Sequence, residues 1–108
     1  MITQLAPRDL AAWQQDPARP APLLVDVREP SEHATCLIEG SVRMPMQTVP
    51  SRVAELPRDR DLVLVCHHGN RSQRVAQWLE QAGYTRLHNL SGGVEGWATD
   101  VDPTMARY

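Results

Sequence analysis

The chain has 108 residues, of which 42% are apolar and 22% charged, with a formal net charge of −2. That length makes one ordinary domain, able to bury roughly two-thirds of its unfolded surface, so folding requires neither a disulfide nor a metal. The charge balance excludes nucleic acid and anionic membrane as main partners while leaving room for a local anion site.

From the N-terminus, Met1 to Leu5 runs into Pro7 and Arg8 with no long apolar core, so neither a secretory signal nor a membrane span is expected. Asp9-Leu10-Ala11-Ala12-Trp13 predicts a short helix ended by Asp16-Pro17, and Arg19-Pro20-Ala21-Pro22 predicts a loop, because a residue before proline is held extended. Leu23-Leu24-Val25-Asp26-Val27 is a short apolar run with β-branched residues, the pattern of a strand covered on both faces. Pro30-Ser31-Glu32 starts a helix, since proline costs nothing in a first turn, and Gly40 closes that element. Ser41-Val42-Arg43-Met44 reads as a second strand stopped by Pro45, and Val49 to Leu56 as a short helix.

Leu62-Val63-Leu64-Val65 is the clearest strand. From Ser72 the apolar period changes from 2 to 3.6: Val75, Ala76, Leu79 and Ala82 share one face, and Gly83 is placed to end the helix in a left-handed conformation. Arg86 to Leu90 makes a fourth strand. Helices alternating with short apolar strands predict an α/β fold of three layers, a mainly parallel sheet flanked by helices on both faces, in a single domain over residues 1–108. The two cysteines, Cys36 and Cys66, lie in different segments with no Cys-x-x-Cys pair, which argues against a disulfide scaffold and a structural zinc site. Free thiols fit a reducing, cytoplasmic location; no metal or cofactor is expected.

The stretch Cys66-His67-His68-Gly69-Asn70-Arg71-Ser72 puts a cysteine where a buried strand ends and a helix begins. Open α/β sheets bind ligands at the carboxyl ends of their strands. A helix N-terminus offers unpaired N–H groups and partial positive charge, which together favour an anion, here the thiolate. Arg71 adds a permanent charge with a forked donor face, and Gly69 allows the tight backbone that turns N–H groups inward. The spacing therefore predicts a nucleophilic cysteine in a small anion cradle.

This loop resembles the active-site loop of the rhodanese family, a cysteine with four residues before a basic residue and then serine. Three further blocks agree in order: Asp26-Val27-Arg28-Glu29-Pro30, then Glu32 through Gly40 to Met44-Pro45, then Leu90-Ser91-Gly92-Gly93-Val94-Glu95-Gly96-Trp97. The resemblance implies a sulfurtransferase in which Cys66 accepts sulfane sulfur from thiosulfate or another small anionic donor. The resulting persulfide would pass its sulfur to a small thiol or a protein acceptor. It implies donor and persulfide binding by His67, His68, Gly69, Asn70, Arg71 and Ser72, with Asp26 and Arg28 supporting the loop. Cysteine-dependent phosphatases, some of which share this fold, use a loop one residue longer, and no general acid for phosphate-ester hydrolysis is identified. A phosphatase or arsenate reductase is thus an alternative. A non-catalytic rhodanese-like binding module is another, against which stands the presence of both Cys66 and Arg71.

Plainer roles remain open for individual residues. His67 and His68 are expected as loop residues whose backbone matters; if their side chains act, they tune charge near the persulfide as pH crosses ~6.5. Asp26, Arg28 and Glu29 are expected to have a structural role, pairing with one another or bracing the loop. Ser72 either caps the helix or helps to hold Cys66. Trp78 and Trp97 are expected to pack. Cys36-Leu37 stands where the family usually has glycine and histidine; Cys36 is either a resolving thiol or, as favoured here, a partly buried small residue. The closing stretch Thr99 to Tyr108 is similar to the ending of small bacterial members of the family, and its placement is left open.

Overall fold

The structure, a computed structural model, describes all 108 residues. Five strands, β1 (Ile2–Leu5), β2 (Leu23–Asp26), β3 (Val42–Arg43), β4 (Leu62–Val65) and β5 (Leu87–Leu90), form one parallel sheet in the order β1-β5-β4-β2-β3. Five helices connect or flank them: α1 (Pro7–Gln14), α2 (Pro30–Thr35), α3 (Val49–Arg52), α4 (Asn70–Gln81) and α5 (Gly93–Asp100). No helix is long and apolar enough to cross a membrane.

Alternation along the central strands sorts the core into two layers. Leu62, Leu64 and Cys66 point to a face shared with Val75, Ala76 and Leu79 of α4 and with Val49 of α3. Val63 and Val65 point to the other face, among Leu10 and Trp13 of α1 and Val94 and Trp97 of α5. All four residues of β4 are fully buried, which is why its sequence is uninterrupted apolar.

Several elements differ from the sequence reading. β1 is an edge strand whose central Thr3 and Gln4 are exposed, so its pattern carries no strand signal. The helix expected from Asp9 begins at Pro7, which occupies its first turn. The second strand shrinks to Val42–Arg43. The helix expected over Val49–Leu56 is one short turn of α3 between 3-10 turns at Met46–Thr48 and Val53–Glu55. α4 starts at Asn70 rather than Ser72, capped by Gly69 at φ +104°, and Gly83 does take the left-handed conformation after it, at φ +98°. α5 was not expected at all. Trp97 packs in the core, but Trp78 is 42% exposed, on the rim of a shallow groove with Met46, Val49, Pro50, Arg74 and Val75.

The closing segment docks. The N–H groups of Val101 and Asp102 both reach the Trp97 carbonyl at 2.9 Å, Met105 packs against the second core layer, and Arg107 reaches back to Thr99 and Glu95 of α5.

Candidate active site

β2 and β4 are neighbours, with Asp26 beside Val65. After β4 the chain turns into α4 and on to β5; after β2 it turns into α2 and β3, on the opposite side. The two connections part at the carboxyl ends of adjacent strands, the position at which an open parallel sheet leaves a crevice. Cys66 lies on one side of that parting and Arg28 on the other.

The cysteine loop closes tightly on its own sulfur. The Gly69 N–H points at Cys66 Sγ over 3.1 Å, and Ser72 Oγ lies 3.2 Å from it, at the start of α4. The loop's carbonyls are disposed of elsewhere. Cys66 O accepts from Val94 N–H at 2.9 Å and His67 O from Glu95 N–H at 3.1 Å, so the first turn of α5 satisfies them. That approach requires glycine at 93: with φ +58°, a Cβ there would lie 2.3 Å from both carbonyl oxygens. Cys66 is 1% exposed, at the floor of a depression of about 270 Å³ rimmed by His67, His68, Asn70 and Arg71.

Ser72 is not the helix cap; Gly69 is. Its hydroxyl has one proton and two neighbours, Cys66 Sγ and the Asn89 Oδ1 at 2.5 Å. Asn89 Nδ2 donates to Gln4 Oε1 at 3.0 Å and Gly69 O at 3.1 Å, which fixes Oδ1 as the acceptor for Ser72. With a thiol, the sulfur's proton goes to Ser72 Oγ and the hydroxyl serves Asn89. With a thiolate, the hydroxyl proton must turn to sulfur and release Asn89.

The charges around the loop form a chain. Arg71 grips Glu32 bidentately, at 2.7 and 2.8 Å, so the expected donor-binding cation is neutralised by a carboxylate from α2. The Arg71 bonds hold the Glu32 carboxyl well below the usual range against the opposing effect of burial, helped by Tyr108 and the Glu29 N–H. The same pair raises Arg71. Asp26 and Arg28 are fully buried and paired, with Arg28 Nη2 2.7 Å from Asp26 Oδ2. Burial would lower Arg28, but its bonds to Asp26 and Tyr108 outweigh that and keep it charged. Its remaining donors take the carbonyls of Cys36 (2.8 Å) and Glu32 (3.2 Å), Cys36 Sγ (3.6 Å) and the Tyr108 hydroxyl (2.9 Å). None of these bonds reaches residues 66–72, so Asp26 and Arg28 fasten α2 rather than the cysteine loop directly. Glu29 caps α2 through a reciprocal box with Glu32.

His67 stacks on His68 with ring centres 4.0 Å apart, and Tyr108 stacks on His67, also at 4.0 Å. Burial, then the neighbouring His68, pushes His67 below the ordinary histidine value. Burial pushes Tyr108 up to about 12, with Arg28 opposing and Glu32 assisting. The side chain of Asn70 lines the depression.

The structure thus brings Cys66, His67, His68, Gly69, Asn70, Arg71 and Ser72 together and sets Asp26 and Arg28 apart beneath α2. Three participants went unread in the sequence: Glu32, Asn89 and Tyr108. Asn89 left only a weak signal, a polar residue that stands beside His88 between the two leucines of β5 and is 3% exposed. Glu32 and Tyr108 left none, because their contacts span 39 and 76 residues.

The family model described as the rhodanese-like domain matches residues 6–100. A sulfurtransferase of Allochromatium vinosum is 43% identical over 84 residues, covering 78% of each chain. The thiosulfate sulfurtransferase GlpE of Tolumonas auensis is 32% identical over 78 residues, 72% of this chain and 74% of that one. Among solved structures, a rhodanese-related protein from Thermoplasma volcanium superposes with a TM-score of 0.81 at 27% identity, covering 92% of this chain and 93% of that one.

Proposed function

This chain belongs to the rhodanese-like domain family and is a sulfurtransferase; on that premise we propose that it moves sulfane sulfur from thiosulfate, or a similar small anionic donor, through a persulfide on Cys66. The thiolate attacks the outer sulfur of thiosulfate. A new S–S bond forms at Cys66, the donor's own S–S bond breaks, and sulfite leaves with the bonding pair. An acceptor nucleophile (cyanide in an assay, a small or protein thiol in the cell) then attacks the outer persulfide sulfur and regenerates the Cys66 thiolate. Dividing the transfer in this way replaces one difficult step by two easier ones.

The observation that carries this reading is the sulfur of Cys66 held by the Gly69 N–H and beside Ser72 at the start of α4, under a depression rimmed by only four other residues. In this reading Gly69 and the following N–H groups cradle the anionic outer sulfur. Asn70, His67 and His68 bound the space, and Arg71 meets the donor's sulfite end by sharing a donor now spent on Glu32. Asp26 and Arg28 support the site through α2. Residues 1–108 act as one domain, and two free thiols suit a reducing cytoplasm.

The test is thiocyanate production from thiosulfate and cyanide, with mass spectrometry of the intact chain after thiosulfate alone. The expected result is turnover and a gain of one sulfur atom at Cys66, both lost in Cys66→Ser. No thiocyanate and no adduct in the wild type, or hydrolysis of a phosphate ester instead, would overturn the proposal.

A further inference from the structure

The segment after α5 delivers one aromatic side chain to the rim of the site. Arg107 pins it, donating to Thr99 Oγ1 at 2.6 Å and lying 3.5 Å from Glu95 Oε2. Tyr108 then sets its ring parallel to His67, the second ring of a three-ring stack with His68 at the far end. The directions at its hydroxyl are unambiguous. Arg28 can only donate, so the oxygen accepts from Nη1; Glu32 is ionised, so the proton goes to Glu32 Oε2 at 2.7 Å. Tyr108 is therefore the link in an unbroken sequence of alternating charges, from the buried Asp26–Arg28 pair to the Glu32–Arg71 fork beside Cys66.

We propose that Tyr108 is a positioning residue of the sulfur-transfer site, its ring fixing His67 against His68 and its hydroxyl fixing the Glu32 carboxylate that grips Arg71. The proposal rests on the sulfurtransferase reading and adds to it a residue outside the cysteine loop.

Hydroxyl and ring have separate consequences. Without the hydroxyl, Glu32 Oε2 keeps only Arg71 Nη2 as donor. The carboxylate then holds Arg71 harder, or Arg71 loses its fixed place; either way it is less available to an arriving anion. Without the ring, one face of His67 opens to water. Burial is the leading influence keeping that imidazole neutral. The groups facing it are His68 in the loop, Glu95 of α5 at 3.9 Å, Arg71 of α4 and Glu32 of α2. With its face hydrated, His67 protonates at a higher pH.

Tyr108→Phe and Tyr108→Ala separate the two. In Tyr108→Phe the KM for thiosulfate rises roughly three- to tenfold, less than a direct hydrogen bond to a charged group is worth because the hydroxyl acts on the donor only through Glu32 and Arg71, with kcat within about twofold of wild type. Its His67 titration, read from imidazole proton shifts by NMR, stays where the wild type has it. In Tyr108→Ala the KM rises similarly and the His67 midpoint moves up. A wild-type KM in Tyr108→Phe, or a fall in its kcat alone, overturns the hydroxyl's role; an unmoved His67 midpoint in Tyr108→Ala overturns the ring's. If Tyr108→Ala does not fold, Tyr108→Phe and a Tyr108→Leu titration decide. The NMR arm needs no turnover, so failure of the sulfurtransferase reading, seen as a wild type that forms no persulfide, is distinguishable from failure here.

Discussion

At the scale of single residues, the site works by assigning scarce protons. The one hydroxyl proton of Ser72 cannot serve Asn89 and a thiolate together, so ionisation of Cys66 is coupled to a rearrangement 2.5 Å away at Asn89. Removing that proton should make the thiolate costlier. Ser72→Ala is expected to lower both the alkylation rate of Cys66 at neutral pH and kcat/KM for thiosulfate, each by roughly tenfold or more, since hydrogen bonds to charged groups are worth ~1.5–3 kcal/mol. Stopped-flow alkylation and steady-state assays would show it; unchanged rates would mean that backbone N–H groups alone stabilise the sulfur. Glu32 gives a pH signature. Its carboxyl is depressed in the folded state by Arg71, so the stability it contributes is complete above the ordinary glutamate value of about 4.3 and is lost as pH falls below that value toward the folded one. Thermal midpoints measured from pH 6 down to 3 should fall less steeply in Glu32→Gln than in the wild type, because the variant has already lost the ionised partner.

At the scale of elements, the cysteine loop and the first turn of α5 are one unit. The loop's N–H groups face the sulfur only because its carbonyls are accepted elsewhere, by Val94 and Glu95. Gly93 is the contact point, and the glycines differ sharply in what they tolerate. Gly93→Ala places a methyl 2.3 Å from two backbone oxygens. It is expected to cost ~3 kcal/mol or more in urea unfolding and to abolish sulfur transfer, because the methyl forces the loop and the helix start apart. Gly40→Ala, also at positive φ but with nothing within 4 Å of the new methyl, is expected to cost only about 1–2 kcal/mol and leave activity intact. Equal losses in the two variants would show that backbone strain, not the loop–helix contact, governs Gly93. The pair Gly92-Gly93 also explains why α5 escaped the sequence reading: two glycines read as a turn, whereas here they are the price of close approach at a helix start.

At the scale of the whole molecule, the parallel sheet with helices on both faces was legible because burial writes itself into contiguous residues. Leu62 to Val65 could be read as a central strand for the reason that it is one. β1 was not, because its exposed Thr3 and Gln4 lie at the sheet's edge, and edge position is decided by the rest of the fold. The site divides in the same way. The cysteine loop is seven consecutive residues and was readable as such; Glu32, Asn89 and Tyr108 join it only through folding. The buried Asp26–Arg28 pair belongs to this larger scale, tying the centre of the sheet to α2. Arg28→Ala removes the full partner of the buried Asp26, and is expected to lower global stability by about 3–5 kcal/mol in denaturant unfolding. A loss below ~1 kcal/mol would show that water or His33, 3.3 Å from Asp26, replaces it.

The depth of Cys66 has a consequence for collisions between molecules. A disulfide needs two sulfur atoms about 2.05 Å apart. A sulfur that is 1% exposed below a rim of His67, His68, Asn70 and Arg71 cannot meet its counterpart in a second copy, since the two rims touch first. In the persulfide reading proposed above, sulfur carried on Cys66 would thus be kept from pairing with the Cys66 of another copy. On the same proposal, a protein acceptor would have to offer its thiol on a protruding, narrow stretch of backbone, because a thiol set flat on a broad surface would be stopped by the rim.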